Sequence, residues 1–215
     1  MVSMSYGMIS KGAQGLGSSN CLFGTSGIRG VVGQDLSLDF CQEVAQAIGT
    51  TLASHSKVCL ATDTRVSREV IKRAVISGLR SSGVNVTDLG ILPTPALAFL
   101  TREMGFNTGV MITASHNPPE FNGIKLFNGN SIGYSKAQES EIEKVYGEKR
   151  FRTGYLGSLV QSQGAKERYF KFMLDRFSWR SLNHRLRIVV DAGNGAASGF
   201  ASELFSMAGF ERSEE

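Results

Sequence analysis

Apolar positions recur along this chain with two periods, and the two periods alternate. In LSLDFCQEVAQAIGTTLA, Phe40, Val44, Ile48 and Leu52 share one face at helical spacing, with Ser37 placed to cap the first turn. KVCLATD is a short apolar run with the signature of a buried strand. SREVIKRAVISGLRSSG returns to the helical period through Val70, Ile71, Ala74, Val75 and Leu79, and Gly83 marks its stop. VNVTDLG predicts a strand, Pro93-Thr94-Pro95 introduces the helix ALAFLTREMG, and TGVMITA and IKLFN predict two more strands. Ser135 and Gln138 form a capping box for the helix KAQESEIEKVYGEK.

This alternation implies an α/β layer architecture around a mostly parallel sheet. After GYLGSLV the pattern restarts, with KERYFKFMLDRFS as a helix, RLRIVVD as a strand and GAASGFASELFSMAG as a second helix. The Gly- and Ser-containing stretch from Gly154 to Gly164 is the expected boundary, giving a first domain over 21–158 and a second over 159–215. A lone strand and two helices cannot bury both faces of a sheet, so the second domain is expected to be incomplete. Its unpaired strand edges would favour self-association. Residues 1–20, with Gly, Ser and no period, are expected to be disordered.

Composition changes this picture little. Hydrophobic residues at 41% and charged residues at 20% are ordinary for a soluble domain. A net charge of +4 favours anionic ligands weakly, and no Lys/Arg block is dense enough for nucleic acid. No run reaches membrane-spanning length, and the first twenty residues lack the basic-then-apolar order of a signal peptide. A cytoplasmic protein without a membrane partner is predicted. Cys21, Cys41 and Cys59 lack metal-site spacing, and Cys41 and Cys59 fall in apolar-periodic segments, so they read as reduced residues in or near the core.

The candidate chemistry lies in GVMITASHNPPEFNGIKLFN, which runs apolar, then sharply polar, then apolar again. Ser115 and His116 are adjacent, and neighbours on a strand point to opposite faces, so a Ser-His dyad requires the chain to turn at once. No G-x-S-x-G elbow surrounds Ser115. The stretch does place a polar loop at a strand end, where α/β sheets bind ligands. Lys125 adds a cation suited to phosphate, Asn117 and Asn122 add amides, and two prolines stiffen the backbone. These residues suit phosphoryl transfer better than acyl transfer, although a merely polar connection has the same composition. FGTSGIRG, at Phe23 to Gly30, has three glycines that let backbone N–H groups approach an anion, and Arg29 can grip phosphate with two donors. Taken alone it is equally a Gly-rich turn.

Together, FGTSGIRG, TASHNPPEFNGIK and VVDAGNGAASG resemble the α-D-phosphohexomutase superfamily of phosphoglucomutase, phosphomannomutase and phosphoglucosamine mutase, in that family's order, from about Leu22 to Phe210. The resemblance implies the mixed, mostly parallel sheet between helices of the family's first domain, followed by an incomplete second α/β domain. It implies that Ser115 is the phosphorylated serine of a hexose 1-phosphate/hexose 6-phosphate mutase working through a hexose 1,6-bisphosphate. It further implies roles for Arg29, His116 and Lys125 at the reacting centre, with Lys125 a candidate for moving the sugar hydroxyl proton. Thr25, Ser26 and Asn117 would bind substrate: a glucose, mannose or glucosamine phosphate. Mg²⁺ is the implied cofactor, held by the phosphate on Ser115. Complete members resemble four-domain chains with an Asp-x-Asp-x-Asp metal loop. No such triplet occurs here, so the other metal ligands are expected in a segment absent from this chain. Without that cleft, the chain is expected to show little turnover by itself, and a truncated binding or interaction module is the alternative. Two further motifs read as structural. In DTRVSRE, Asp63 and Arg65 are expected to pair. DAGNGAASG has its third glycine too late for a dinucleotide loop, leaving a tight turn after a strand ending at Asp191.

Overall fold

A computed structural model describes residues 21–25, 27–177 and 188–210. The expectations for residues 1–20, for Ser26 and for the first part of RLRIVVD lie outside the described residues. Six strands, β1 (Ile28–Val31), β2 (Lys57–Thr62), β3 (Asn85–Ile91), β4 (Thr108–Ile112), β5 (Phe121–Asn128) and β6 (Leu159–Gln161), form one sheet in the order β1-β5-β4-β2-β3-β6. Strands β4, β2, β3 and β6 are parallel, while β5 and β1 extend the sheet antiparallel. The connections explain the difference. Parallel neighbours need a crossover, whereas β5 comes after β4 through a loop alone and must reverse direction.

Helices α1 (Leu38–Thr51), α2 (Arg68–Ser81) and α4 (Lys136–Glu148) pack with Val58, Leu60, Val110, Ile112 and Ile124 on one face of the sheet. On the other face, α3 (Thr94–Glu103) and α5 (Ala165–Arg176) pack with Cys59, Ala61 and Met111. Successive side chains of β2 and β4 therefore enter two different cores, which is why these strands read as unbroken apolar runs. Ser37 accepts the Phe40 N–H at 3.1 Å, and Ser135 with Gln138 completes the capping box. Arg152 donates to the carbonyls of Gly49, Leu52 and Ser82, satisfying the C-terminal ends of α1 and α2 together. Burial pushes the Cys41 and Cys59 thiols up to about 12, as befits core residues, whereas Cys21 is exposed.

Four details differ from the sequence pattern. β1 lies inside the glycine-rich stretch that reads as a loop, because its register with β5 (Arg29 opposite Gly123), not its own periodicity, makes it a strand. Gly27 has φ +93°, and a side chain there would collide with the Ile124 carbonyl, so the close approach of β1 to β5 requires glycine. β6, within GYLGSLV and its continuation, pairs with β3 and carries the first sheet to Gln161. Val70 is exposed instead of sharing the buried face of α2. The largest difference is at Ile188, Val189 and Val190, which are exposed and form no strand, so Asp191 does not sit at a strand end. A strand needs a partner for its backbone groups, and none of the described strands lies beside this run. The C-terminal part of the described chain is held instead by α6 (Ser198–Met207), whose Phe200 meets Tyr169 and Phe170 of α5 at ring separations of 5.6 and 4.6 Å.

Candidate active site

The parallel strands β2 and β4 end side by side, and the Asp63 N–H donates to the Ile112 carbonyl at 3.1 Å. The loops that leave them, 63–67 and 113–120, are therefore neighbours at the sheet edge where α/β folds place ligands. Asp63, the first residue of the first loop, is buried. One carboxylate oxygen accepts the Thr113 hydroxyl at 2.6 Å, and the other accepts the Arg65 N–H at 3.0 Å. With its proton committed to Asp63, the Thr113 hydroxyl accepts the Ser115 N–H at 2.9 Å. Ser115 takes a left-handed φ of +57°, a conformation that costs a non-glycine residue about 1–3 kcal/mol and must be held by its surroundings.

Arg65 supplies much of that hold. Its Nη2 donates to the Ser115 and Asn117 carbonyls at 3.1 and 2.6 Å, and its Nη1 to those of Pro118 and Phe121 at 2.6 and 2.9 Å. Its Nε lies 3.3 Å from Asp63, an ion pair without hydrogen-bond alignment. The Asp63–Arg65 pairing expected from DTRVSRE is thus present, and it organises the whole serine loop. The sequence signals for this were the D-x-R spacing and a threonine two residues before the serine. The D-x-R spacing by itself predicts only a structural pair, and no local pattern singles out Thr113.

The sharp turn exposes Ser115 and brings its Oγ to 3.5 Å from His116 Nδ1, the outer edge of hydrogen-bonding range. Arg29, on β1, donates from Nη1 to the Asn117 side-chain oxygen at 3.1 Å, and its buried Nε has no partner among the described residues. Arg29 lies opposite Gly123 in the β1–β5 register, so it shares a sheet face with Lys125 two residues further on. Burial lowers the Lys125 pKa, and the neighbouring Arg29 charge lowers it further. Arg29 is thus tied to the serine loop through Asn117, and Lys125 lies near enough to Arg29 to feel its charge. Asn122 is instead a buried structural amide that donates to Ser67 Oγ at 2.9 Å. Thr25 is exposed, on a backbone bridge with Gly27. The glycine-rich loop after Asp191 also reaches this edge, its Asn194 carbonyl accepting from Thr64 Oγ1 at 2.7 Å.

Among the described residues no three His, Cys, Asp or Glu side chains converge. Asp63 is already engaged by Arg65 and Thr113. Mg²⁺ requires near-octahedral oxygen ligation, so the described residues do not fit a resident Mg²⁺ centre.

The family model for domain I of phosphoglucomutase/phosphomannomutase, described as α/β/α, matches residues 20–153 and so takes in both site loops. The chain belongs to this phosphohexomutase family. Over 194 residues it is 42% identical to a phosphoglucosamine mutase of Limosilactobacillus reuteri, covering 86% of this chain and 43% of that protein. It is 40% identical over 178 residues to a protein of Pyrococcus abyssi described as a probable phosphoglucosamine mutase, covering 82% of this chain and 39% of the relative. Among solved structures, a phosphoglucomutase/phosphomannomutase family protein from Burkholderia thailandensis superposes with a TM-score of 0.77 at 31% identity, over 92% of this chain and 44% of that one. The mostly parallel sheet between two helix layers is the domain architecture that the family description names. The chain spans less than half the length of these relatives.

Proposed function

We propose that this chain supplies the phosphoryl-carrying part of a phosphohexomutase, with Ser115 as the carrier. The observation that supports this best is the serine turn itself. The backbone N–H and C=O of Ser115 are bound by Thr113 and Arg65, while its hydroxyl is left exposed on a loop that Arg29 joins through Asn117. Phosphoryl transfer needs positioning and positive charge more than covalent help from the protein, which this arrangement offers.

In the forward step a hydroxyl oxygen of a hexose monophosphate attacks the phosphorus on Ser115. The new P–O bond forms as the P–Oγ bond breaks, yielding a hexose 1,6-bisphosphate and free serine. The hydroxyl gives up one proton and Oγ gains one. Lys125, whose lowered pKa eases release of a proton, is assigned the exchange at the sugar, and His116 lies within reach of Oγ. After the bisphosphate turns over, its other phosphoryl group returns to Ser115. Arg29, Asn117, Thr25 and Ser26 would contact the phosphosugar, a glucose, mannose or glucosamine phosphate. In this reading an oxygen of the serine phosphate would be one ligand of Mg²⁺, and its other ligands would come from outside the described residues. The reading also keeps two domains and a cytoplasmic location, with the boundary moved from 158/159 to a point after β6, which belongs to the first sheet.

A second reading, an interaction module able to associate with itself or a partner, is favoured by the exposed apolar run Ile188–Val190. Incubation with glucose 1,6-bisphosphate followed by intact-mass measurement separates the two. A single added phosphate that disappears in Ser115→Ala is expected. No addition, or addition that survives in Ser115→Ala, would remove Ser115 from the carrier role.

A further inference from the structure

We infer that Arg65, acting through the backbone of the serine loop, is a positioning residue for phosphoryl transfer at Ser115, and that Asp63 and Thr113 complete the device. The inference rests on Ser115 being the phosphoryl carrier and gives a task to a residue group that the reaction itself does not consume. Arg65 gathers carbonyls from Ser115, Asn117, Pro118 and Phe121 onto one guanidinium. Those oxygens carry partial negative charge, and a phosphoserine is an anion, so turning them onto Arg65 removes a source of repulsion from the site.

The amide side is sorted in the same way. Within the loop, the N–H of Ser115 goes to Thr113, that of Asn117 to the Ala114 carbonyl and that of Phe121 to the Pro118 carbonyl. Pro118 and Pro119 have none. Asp63 accepts the Thr113 proton and so leaves a lone pair of that hydroxyl for Ser115, which ties the left-handed turn to a buried carboxylate. Arg65 is suited to this because its fork presents planar donors in fixed directions, whereas a lysine offers a compact point charge at one position. Its side chain is only 12% exposed, so it is a poor candidate for meeting the sugar itself.

A positioning role predicts a loss in rate without an equal loss in binding. The 215-residue chain is incubated with glucose 1,6-bisphosphate over a concentration series, and phosphate on Ser115 is followed by mass. Arg65→Lys should lower the maximal phosphorylation rate by about a hundredfold, the effect of a displacement near 1 Å, while the half-saturating concentration stays within about twofold. Thr113→Val should act in the same direction, and Thr113→Ser should recover most of that loss because it restores the hydroxyl. Hydrogen exchange at the Ser115 and Asn117 amides should quicken in Arg65→Lys and in Thr113→Val. An Arg65→Lys chain that phosphorylates at the wild-type rate would overturn the inference, as would a pure rise in half-saturation. If Arg65→Lys does not fold, the Thr113→Val and Thr113→Ser pair decides: equal rates overturn the inference. If the wild-type chain takes up no phosphate, the carrier reading fails first. Amide exchange then judges the positioning device alone, and unchanged protection in both variants would overturn it.

Discussion

Two junctions in this molecule look alike in sequence and differ in structure. TGVMITASHN and RIVVDAGNG both run from apolar residues into a polar loop with a left-handed residue, Ser115 at φ +57° and Asn194 at φ +56°. The first apolar run is β4, buried throughout between β2 and β5, and its loop is held by Arg65. In the second, Ile188–Val190 are exposed and have none of the described strands beside them, although the loop still turns. Local sequence is enough to make the turn. A strand also needs a neighbour to take its hydrogen bonds and its side chains.

Placing the same charge in both runs tests this contrast most severely. Val110→Asp would bury an unpaired carboxylate at a fully enclosed position and should cost at least about 4 kcal/mol, or prevent folding, in urea unfolding followed by circular dichroism. Val189→Asp should stay within about 0.5 kcal/mol of wild type, since Val189 is 96% exposed. Comparable losses at both positions would mean that the second run is covered in solution.

A smaller effect tests how firmly the two regions are joined. Phe170 is fully buried and meets Phe200 of α6 edge-on, so Phe170→Ala should cost about 3–5 kcal/mol. A single transition shifted as a whole is expected, because Ala165 and Tyr169 of the same helix belong to the core under α3. If only part of the helical signal melts early, α5 and α6 form a separate unit.

Helix α4 offers a local control within the first region. Ser135→Ala removes the capping box of a helix that places only Ile142 fully in the core, and should cost about 1 kcal/mol by thermal or urea melting. A cost of several kcal/mol would show that the cap anchors more than its own helix.

The smallest effect is electrostatic. The folded pKa of Lys125 lies below its ordinary value, so between the two the unfolded chain binds more protons and stability rises with pH. Below the folded pKa the charged lysine bears the cost of its burial and of the Arg29 charge. Lys125→Met should therefore be slightly more stable than wild type near neutral pH, by under about 1 kcal/mol given partial solvent screening. The gap should close as pH rises toward the ordinary lysine value. A gap that widens with pH would reverse the sign of the Arg29–Lys125 interaction.

Much of the fold was legible because its strongest signals are local. The periodicity of Val44 and Ile48, the Ser37 cap, the Ser135–Gln138 box and the apolar runs of β2 and β4 depend on residues within a turn or two of each other. The family motifs were legible for the same reason, since each occupies one short stretch. β1 and β6 were not, because IRGV and LVQ have no pattern of their own and become strands only against β5 and β3. The roles of Arg65 and Thr113 were hidden in the same way. Arg65 reaches carbonyls more than fifty positions away in the loop at Asn117 and Pro118, a relation that no spacing along the chain records.

The order of residues was enough to say which segments coil or extend, where helices begin, and that a serine, a histidine, two amides and a lysine come after one apolar run. Those outcomes depend on backbone sterics, side-chain period and capping, all short-ranged. Only the closed fold lays β1 against β5 and brings Arg29 to Asn117, sets Asp63 and Arg65 to hold the serine turn, and leaves Ile188–Val190 without a partner among the described strands. Strand pairing, burial of charge and the satisfaction of distant carbonyls are interactions between segments, and those segments meet only when the chain has closed the long loops between them.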